Sequence, residues 1–156
     1  MKQIPLTQWK ITIVDDEDFI ELNKYKWWAI KQWNKFYAAR KIVLDGGKRR
    51  LLSIHSFLMN TQKWLDTDHI NGDGLDNKRS NLRVCTRGEN QMNRWKQNNN
   101  TSWFKWVCWH KLANKWLAYI SINWKRKHLW YFSDKLEAYE AYCEACIKYH
   151  WEFAHL

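Results

Sequence analysis

The stretch Asp68-His69-Ile70-Asn71-Gly72, followed by Asn81-Leu82-Arg83 and then Glu89-Asn90-Gln91, constrains this chain more than any other part of it. Thr67 to Ile70 reads as a short strand. Asn71-Gly72-Asp73-Gly74 and Asp76-Asn77 read as a tight polar loop, and Leu82 to Cys85 as the returning strand. Thr86-x-x-Glu89 has the form of a capping box, which starts a helix there and runs it to about Arg94. One strand–loop–strand–helix unit thus gathers a His, a carboxylate and two Asn, with Asn90 in the first helical turn facing back to the strands.

Those are the parts needed to cut a phosphodiester with one divalent metal. Hydrolysis needs an activated water, a positioned phosphate and relief of charge on the leaving oxygen. His69 suits the general base, because its unperturbed pKa lies near neutrality. Asp68 points to the opposite side of the strand and is a hard oxygen ligand for Mg²⁺, with Mn²⁺ expected to substitute. Asn90 offers a neutral carbonyl oxygen to the same ion. Asn81 is placed to hold His69 or the scissile phosphate, and Arg79 and Arg83 can neutralise phosphates. Singly, each residue has a plainer reading as loop cap, Asx-turn residue or polar helix residue. Together, at these spacings, they favour catalysis.

Charge points the same way. A formal net charge of +10 favours a polyanionic partner, and the cations are interleaved with aromatics along the whole chain. The expected partner is double-stranded DNA. No apolar run is long enough to span a bilayer and Met1-Lys2-Gln3 opens no signal-like segment, so no membrane is expected. The expected location is the cytoplasm of a bacterial host, with a phage-encoded origin included, and the expected state is a monomer. Cys143-x-x-Cys146 has the spacing of half a zinc site but lies inside a helical pattern without a second pair, so packing is the better reading.

The remaining pattern divides the chain. Lys10 to Val14 alternates as a strand, and Asp15-Asp16-Glu17-Asp18 opens a short helix to about Tyr25. Trp27 to Ile30 and Phe36 to Ile42 read as paired strands, Asp45-Gly46-Gly47-Lys48 as a turn, Arg50 to Ser53 as a strand and Ile54 to Asn60 as a helix. The expected nuclease-type unit covers 1–95, with its motif core at 66–95, and the polar stretch 96–102 is the expected linker. In 103–156, Val107 to Lys111, Trp116 to Ile122 and Arg126 to Phe132 read as three strands. Ser133 is the expected cap of a helix whose apolar stripe is Leu136, Tyr139, Cys143, Cys146 and Ile147. Lys105, Lys111, Lys115, Lys125 and Lys127, with Trp109, Trp116 and Tyr119, are the candidate DNA contacts of this sheet, although Trp109 and Trp116 also suit a sheet core.

Asp68-His69-Ile70-Asn71-Gly72-Asp73, Asp76-Asn77, Asn81-Leu82-Arg83 and Glu89-Asn90-Gln91-Met92 resemble the HNH nucleases, most closely the homing type of phages and bacteria. The resemblance implies an α+β fold with a ββα-metal unit and a single-metal nicking mechanism. It makes Asp68 and Asn90 metal ligands, His69 the general base and Asn81 the phosphate-orienting residue. His55 sits where such proteins often have His followed by Arg, but here Ser56 follows. Val107-Cys108-Trp109, Trp116-Leu117-Ala118-Tyr119-Ile120 and Leu129-Trp130-Tyr131-Phe132 resemble the Apetala or ethylene-response-factor DNA-binding domain, which lays a three-stranded sheet in the major groove and backs it with a helix.

Both resemblances expect Gly at positions held here by Trp9, Trp64, Trp103, Trp106, Trp124, Trp130 and Trp151, and the chain has 13 Trp against 5 Gly. Asn123-Trp124-Lys125 sits where a hairpin would favour Asn-Gly. Gly codons lie one base from Trp codons. The leading expectation is a site-selective, metal-dependent DNA endonuclease with a C-terminal recognition sheet. The alternative is a catalytically inactive DNA-binding protein or regulator. A basic RNA-binding protein would explain the charge and leave the motif unexplained.

Overall fold

A computed structural model describes residues 1–93, 100–122 and 125–153. Among these, four small antiparallel sheets and four α-helices make a mixed α+β architecture. No helix among the described residues is long and apolar enough to cross a membrane. The chain divides into two compact units, Met1–Thr86 and Arg87–Leu156. The boundary therefore falls earlier than expected, and the helix after the second motif strand goes with the second unit. Lys105 Nζ ties that helix there by donating to the Met92 carbonyl at 2.6 Å. Of the expected linker, 96–99 lie outside the described residues. Residues 100–102 are packed rather than loose, because Ser102 is fully buried and its hydroxyl donates to Val107 O at 2.7 Å.

In the first unit, β1 (Lys2–Pro5) pairs with β2 (Ile11–Val14), and α1 (Asp16–Leu22) follows with Asp16, Glu17 and Asp18 in its first turn, where the helix dipole favours them. The strand β1 carries no clear alternation in sequence and was not anticipated. A meander of β3 (Trp28–Gln32), β4 (Lys35–Val43) and β5 (Arg49–Ser53) leads into the short α2 (Ile54–Leu58). Then β6 (Asp66–His69) pairs with β7 (Leu82–Cys85), putting His69 opposite Leu82 and Asp68 opposite Arg83. Ile4, Val14, Leu22, Trp27, Ala38 and Ile54 form the core, and Trp27 keeps its indole N–H satisfied on Leu22 O at 2.8 Å.

The second unit opens with α3 (Arg87–Met92). It continues with β8 (Val107–His110), β9 (Lys115–Ile122) and β10 (Lys125–Phe132), ordered β10-β9-β8, and closes with α4 (Lys135–His150). Asp134, not Ser133, caps α4, accepting from the Leu136 and Glu137 amides. The buried side of α4 also differs from the expected stripe. Ala138, Tyr142, Ala145 and Cys146 are buried, whereas Leu136 and Ile147 are 54% and 55% exposed. Two alanines let the helix backbone approach the sheet, and Tyr142 with Cys146 then packs on Ile120. Cys143 and Cys146 are free thiols in this packing.

Tryptophan is held in unusual backbone conformations. Trp9, Trp103, Trp106 and Trp151, all expected as glycine positions, have positive φ, and so does Trp33, which was not expected. Trp64 and Trp130 do not, and Trp124 lies outside the described residues. A left-handed conformation costs a residue with a Cβ about 1–2 kcal/mol.

The Tyr142 hydroxyl is buried without an oxygen or nitrogen partner, and burial first and then the neighbouring Cys146 thiol push its phenol pKa upward. Tyr142→Phe removes an unsatisfied group and keeps the ring. Thermal melts should show unchanged or slightly raised stability for this variant, against a loss of about 3–5 kcal/mol for Tyr142→Ala. A marked loss with Phe would show that the hydroxyl has a stabilising partner.

Candidate active site

The first unit brings Asp68, His69 and Asn81 together through β6, β7 and the loop between them. The loop has little sheet of its own and is organised by side chains. Asn71 N donates to Asn81 Oδ1 at 3.0 Å, while Asn81 Nδ2 donates to Asn71 Oδ1 at 3.0 Å and to Asp76 O at 2.7 Å. Asn71 Nδ2 also donates to Asp76 Oδ2 at 2.9 Å. The amide of Asn81, expected to hold His69 or a phosphate, is therefore spent on the loop. Gly72 turns with φ 73. Gly74 is needed for close approach, because a Cβ there would come within 2.4 Å of Phe36 O and 2.5 Å of the Tyr37 ring.

His69 is buried in an aromatic corner. Its ring centroid lies 4.9 Å from that of His55 and 5.9 Å from that of Tyr37. Burial is the chief cause that lowers its pKa, with Asn77, Asp68 and Asp73 acting in the opposite sense. The ring is neutral near pH 7, as a general base must be. Nε2 lies 3.2 Å from Asn77 Oδ1. His55 is more strongly depressed, to about 3, by burial and then by His69. Its Nε2 lies 2.9 Å from Ser53 Oγ, and its Nδ1 is buried without a partner. The sequence marked His55 only by its place before Ser56, and the ring contact with His69 could not be read there.

Asp68 is buried beside His69, and its Oδ2 accepts from Arg83 Nε at 3.0 Å and Nη2 at 2.8 Å. Arg79 donates to both carboxylate oxygens of Asp18, at 2.8 and 2.7 Å, and to Leu58 O at 3.3 Å. Both arginines expected on phosphates are thus engaged within the protein. Asn90 lies half-buried on α3, in the second unit. Among the described residues, no group of three or more His, Cys, Asp or Glu side chains is placed to hold a metal ion. The Asp68 carboxylate is a hard oxygen donor of the kind that Mg²⁺ takes, an ion that needs few protein ligands and keeps its waters.

In the second unit, strand alternation separates the candidate DNA contacts into two sets. Trp116, Ala118 and Ile120 pack toward α4, and Trp109 stacks edge-on to Trp116 at 5.1 Å. Lys127 is turned to this side as well and donates to the Tyr149 hydroxyl on α4 at 3.1 Å, while Lys125 shares its strand parity. Lys105 is half-buried with its pKa lowered to about 8 by that burial. The opposite face carries Lys115 and Tyr119, with His110, Arg126 and Tyr131, and Lys111 is exposed in the turn after β8. Arg126 lies over the Tyr119 ring at 5.2 Å, and His110 meets Tyr131 edge-on at 5.1 Å. The strand pairing, which no single-strand reading supplies, puts Arg126 and His110 together on that face and adds Tyr131.

No protein-family model, no curated protein and no solved structure matches the chain.

The histidines set a pH dependence. Between a folded pKa of about 3 and an ordinary value of 6.5, His55 binds more protons in the unfolded chain. Its contribution is therefore intact above about pH 6.5 and lost as pH falls toward 3, by up to about 1.4 kcal/mol per pH unit. His69 acts in the same direction. Urea melts at pH 7, 5.5 and 4.5 should show this slope, and His55→Phe should flatten it. An unchanged slope in the variant would show that His55 is protonated in the folded chain.

Proposed function

We propose that this chain is a metal-dependent DNA endonuclease of the HNH homing type. The cutting chemistry belongs to the first unit, and the sheet of the second contributes to site choice. The observation that carries the reading is a buried, neutral His69 beside Asp68 at the end of a strand whose following loop is braced by Asn71 and Asn81. His69 takes the proton of the attacking water as the nucleophile adds to phosphorus. Asp68 would hold Mg²⁺ or Mn²⁺; Asn90, the second oxygen ligand that the family resemblance implies, belongs to the second unit. An ion held there would supply charge relief at the phosphate and at the leaving oxygen. Asn81 keeps the loop in shape rather than touching the phosphate. In the second unit, Lys115, Lys111 and Arg126 supply phosphate contacts and Tyr119 an aromatic surface.

A DNA-binding protein without cutting is the second reading. It is favoured by the engagement of Asp68 with Arg83. Conversion of supercoiled plasmid to open circles in Mn²⁺ separates the two. The chain should nick, and His69→Ala should lower the rate by about 100-fold or more. Equal nicking by both proteins would remove His69 from the chemistry. DNA binding without nicking by either would establish the second reading.

A further inference from the structure

Asn77 has a place in the site that no motif reading gives it. The residue is wholly buried, and its amide is oriented by two neighbours that can only accept. Thr12 Oγ1 spends its single proton on Leu75 O at 2.8 Å, so it accepts from Asn77 Nδ2, also at 2.8 Å. The Gly74 carbonyl lies 3.5 Å from the same Nδ2. Both contacts demand the NH₂ group, which turns Oδ1 toward His69 Nε2 at 3.2 Å. A carbonyl oxygen cannot donate, so Nε2 carries the proton, and in a neutral imidazole Nδ1 then carries the lone pair.

We infer that Asn77, keyed by Thr12, is a positioning residue that fixes the Nε2–H tautomer of His69 and makes Nδ1 its basic nitrogen. The consequence for cutting rests on the nuclease reading, whereas the tautomer itself does not. The chain of contacts joins β2 to the motif across 65 residues, which explains why the motif sequence does not show it.

Nitrogen-15 NMR of the histidine rings tests the tautomer without any substrate. Wild type should show His69 protonated at Nε2, and Thr12→Ser should keep that signature. Asn77→Leu should lose it, and Thr12→Val, the milder change should Asn77→Leu fail to fold, should give a mixture. In the plasmid assay Asn77→Leu should lower kcat by about 10- to 100-fold with KM for DNA unchanged. An Nδ1–H signature in wild type, or an unaltered one in both Asn77→Leu and Thr12→Val, would overturn the inference. The expected signatures in a protein that never nicks would uphold the tautomer and overturn the nuclease reading.

A second inference comes from the backbone. Trp9, Trp33, Trp103, Trp106 and Trp151 have φ of 56, 57, 70, 60 and 47. Four of them are mostly exposed and gain little from burial, with Trp9, Trp33, Trp103 and Trp151 being 100%, 91%, 73% and 80% exposed. Trp33 and Asn34 form the two-residue turn between β3 and β4, and positive φ at the first position alone is the type II′ pattern, which takes Gly there. Trp151 ends α4 at φ 47 and ψ −119, where helices place Gly. Trp27, by contrast, is 2% exposed in the core with its N–H bonded. The tryptophans thus fall into a packed set and a set occupying glycine geometry.

We propose that positions 9, 33, 103, 106 and 151 are glycine in the protein as its own cell makes it, the codon at these positions, distinct from that at position 27, being read there as glycine. Peptide mass spectrometry of protein from cells carrying the gene should find Gly at these sites and Trp at 27. In the chain as written, Trp33→Gly and Trp151→Gly should melt higher than Trp33→Ala and Trp151→Ala, since Ala keeps the Cβ that the backbone disfavours, and Trp27→Gly should melt lower than the parent. Tryptophan at all five sites in the native peptides, or Ala matching Gly at both 33 and 151, would overturn the proposal.

Discussion

The first unit depends on a short clamp between β2 and the loop that follows β6. Ile13 N donates to Leu75 O at 2.9 Å and Asn77 N donates back to Ile13 O at 2.8 Å, making a single parallel bridge beside Asp76. Thr12 adds its side chain to the same junction. Two strands alone are marginal in water, and β6 with β7 is such a pair. The clamp gives the loop a backbone partner that its own residues do not supply. His69, Asn71, Asp76, Asn77 and Asn81 then bond to one another inside a small polar interior, although Asp76 Oδ1 is buried without a partner.

The second unit is built on simpler terms. A three-stranded meander puts alternate residues on α4, and the others carry Lys115, Arg126, His110 and Tyr131 on the far side. The division is enforced by the pleat, so packing residues and charged residues need not compete for one surface. His150 closes the end of α4 with its Nε2 2.9 Å from Ser121 O, and burial keeps its pKa low. Helix and sheet are therefore joined by a polar contact as well as by Tyr142 and Ile120.

Much of this was legible in sequence because it is local. Alternation located β2, strand-like runs between turn signals located β4, β7 and β9, and the acidic run located α1 within one residue of its start. The motif residues Asp68, His69 and Asn81 were found because turn chemistry and spacing are one-dimensional. Pairings between distant segments stayed hidden. Thr12 with Asn77, Arg79 with Asp18 and His55 with His69 each join residues with no sequence relation, so arginines assigned to phosphate proved to serve the fold. Strand parity on β10 was shifted by an irregularity between His128 and Trp130, which no alternation rule reveals from one strand. The Asp134 cap was missed because Ser133 and Asp134 are adjacent and equally competent.

The contact between Asp68 and Arg83 has a consequence for anything negatively charged that approaches β6. The two face each other across the β6–β7 pair, and neither is strongly solvated, with side chains 8% and 15% exposed. A bare buried carboxylate would repel a phosphodiester at short range with little water to screen it. Shared with a guanidinium, it presents a neutral surface instead. A polyanion that comes close to β6 meets a compensated pair there rather than an open negative charge.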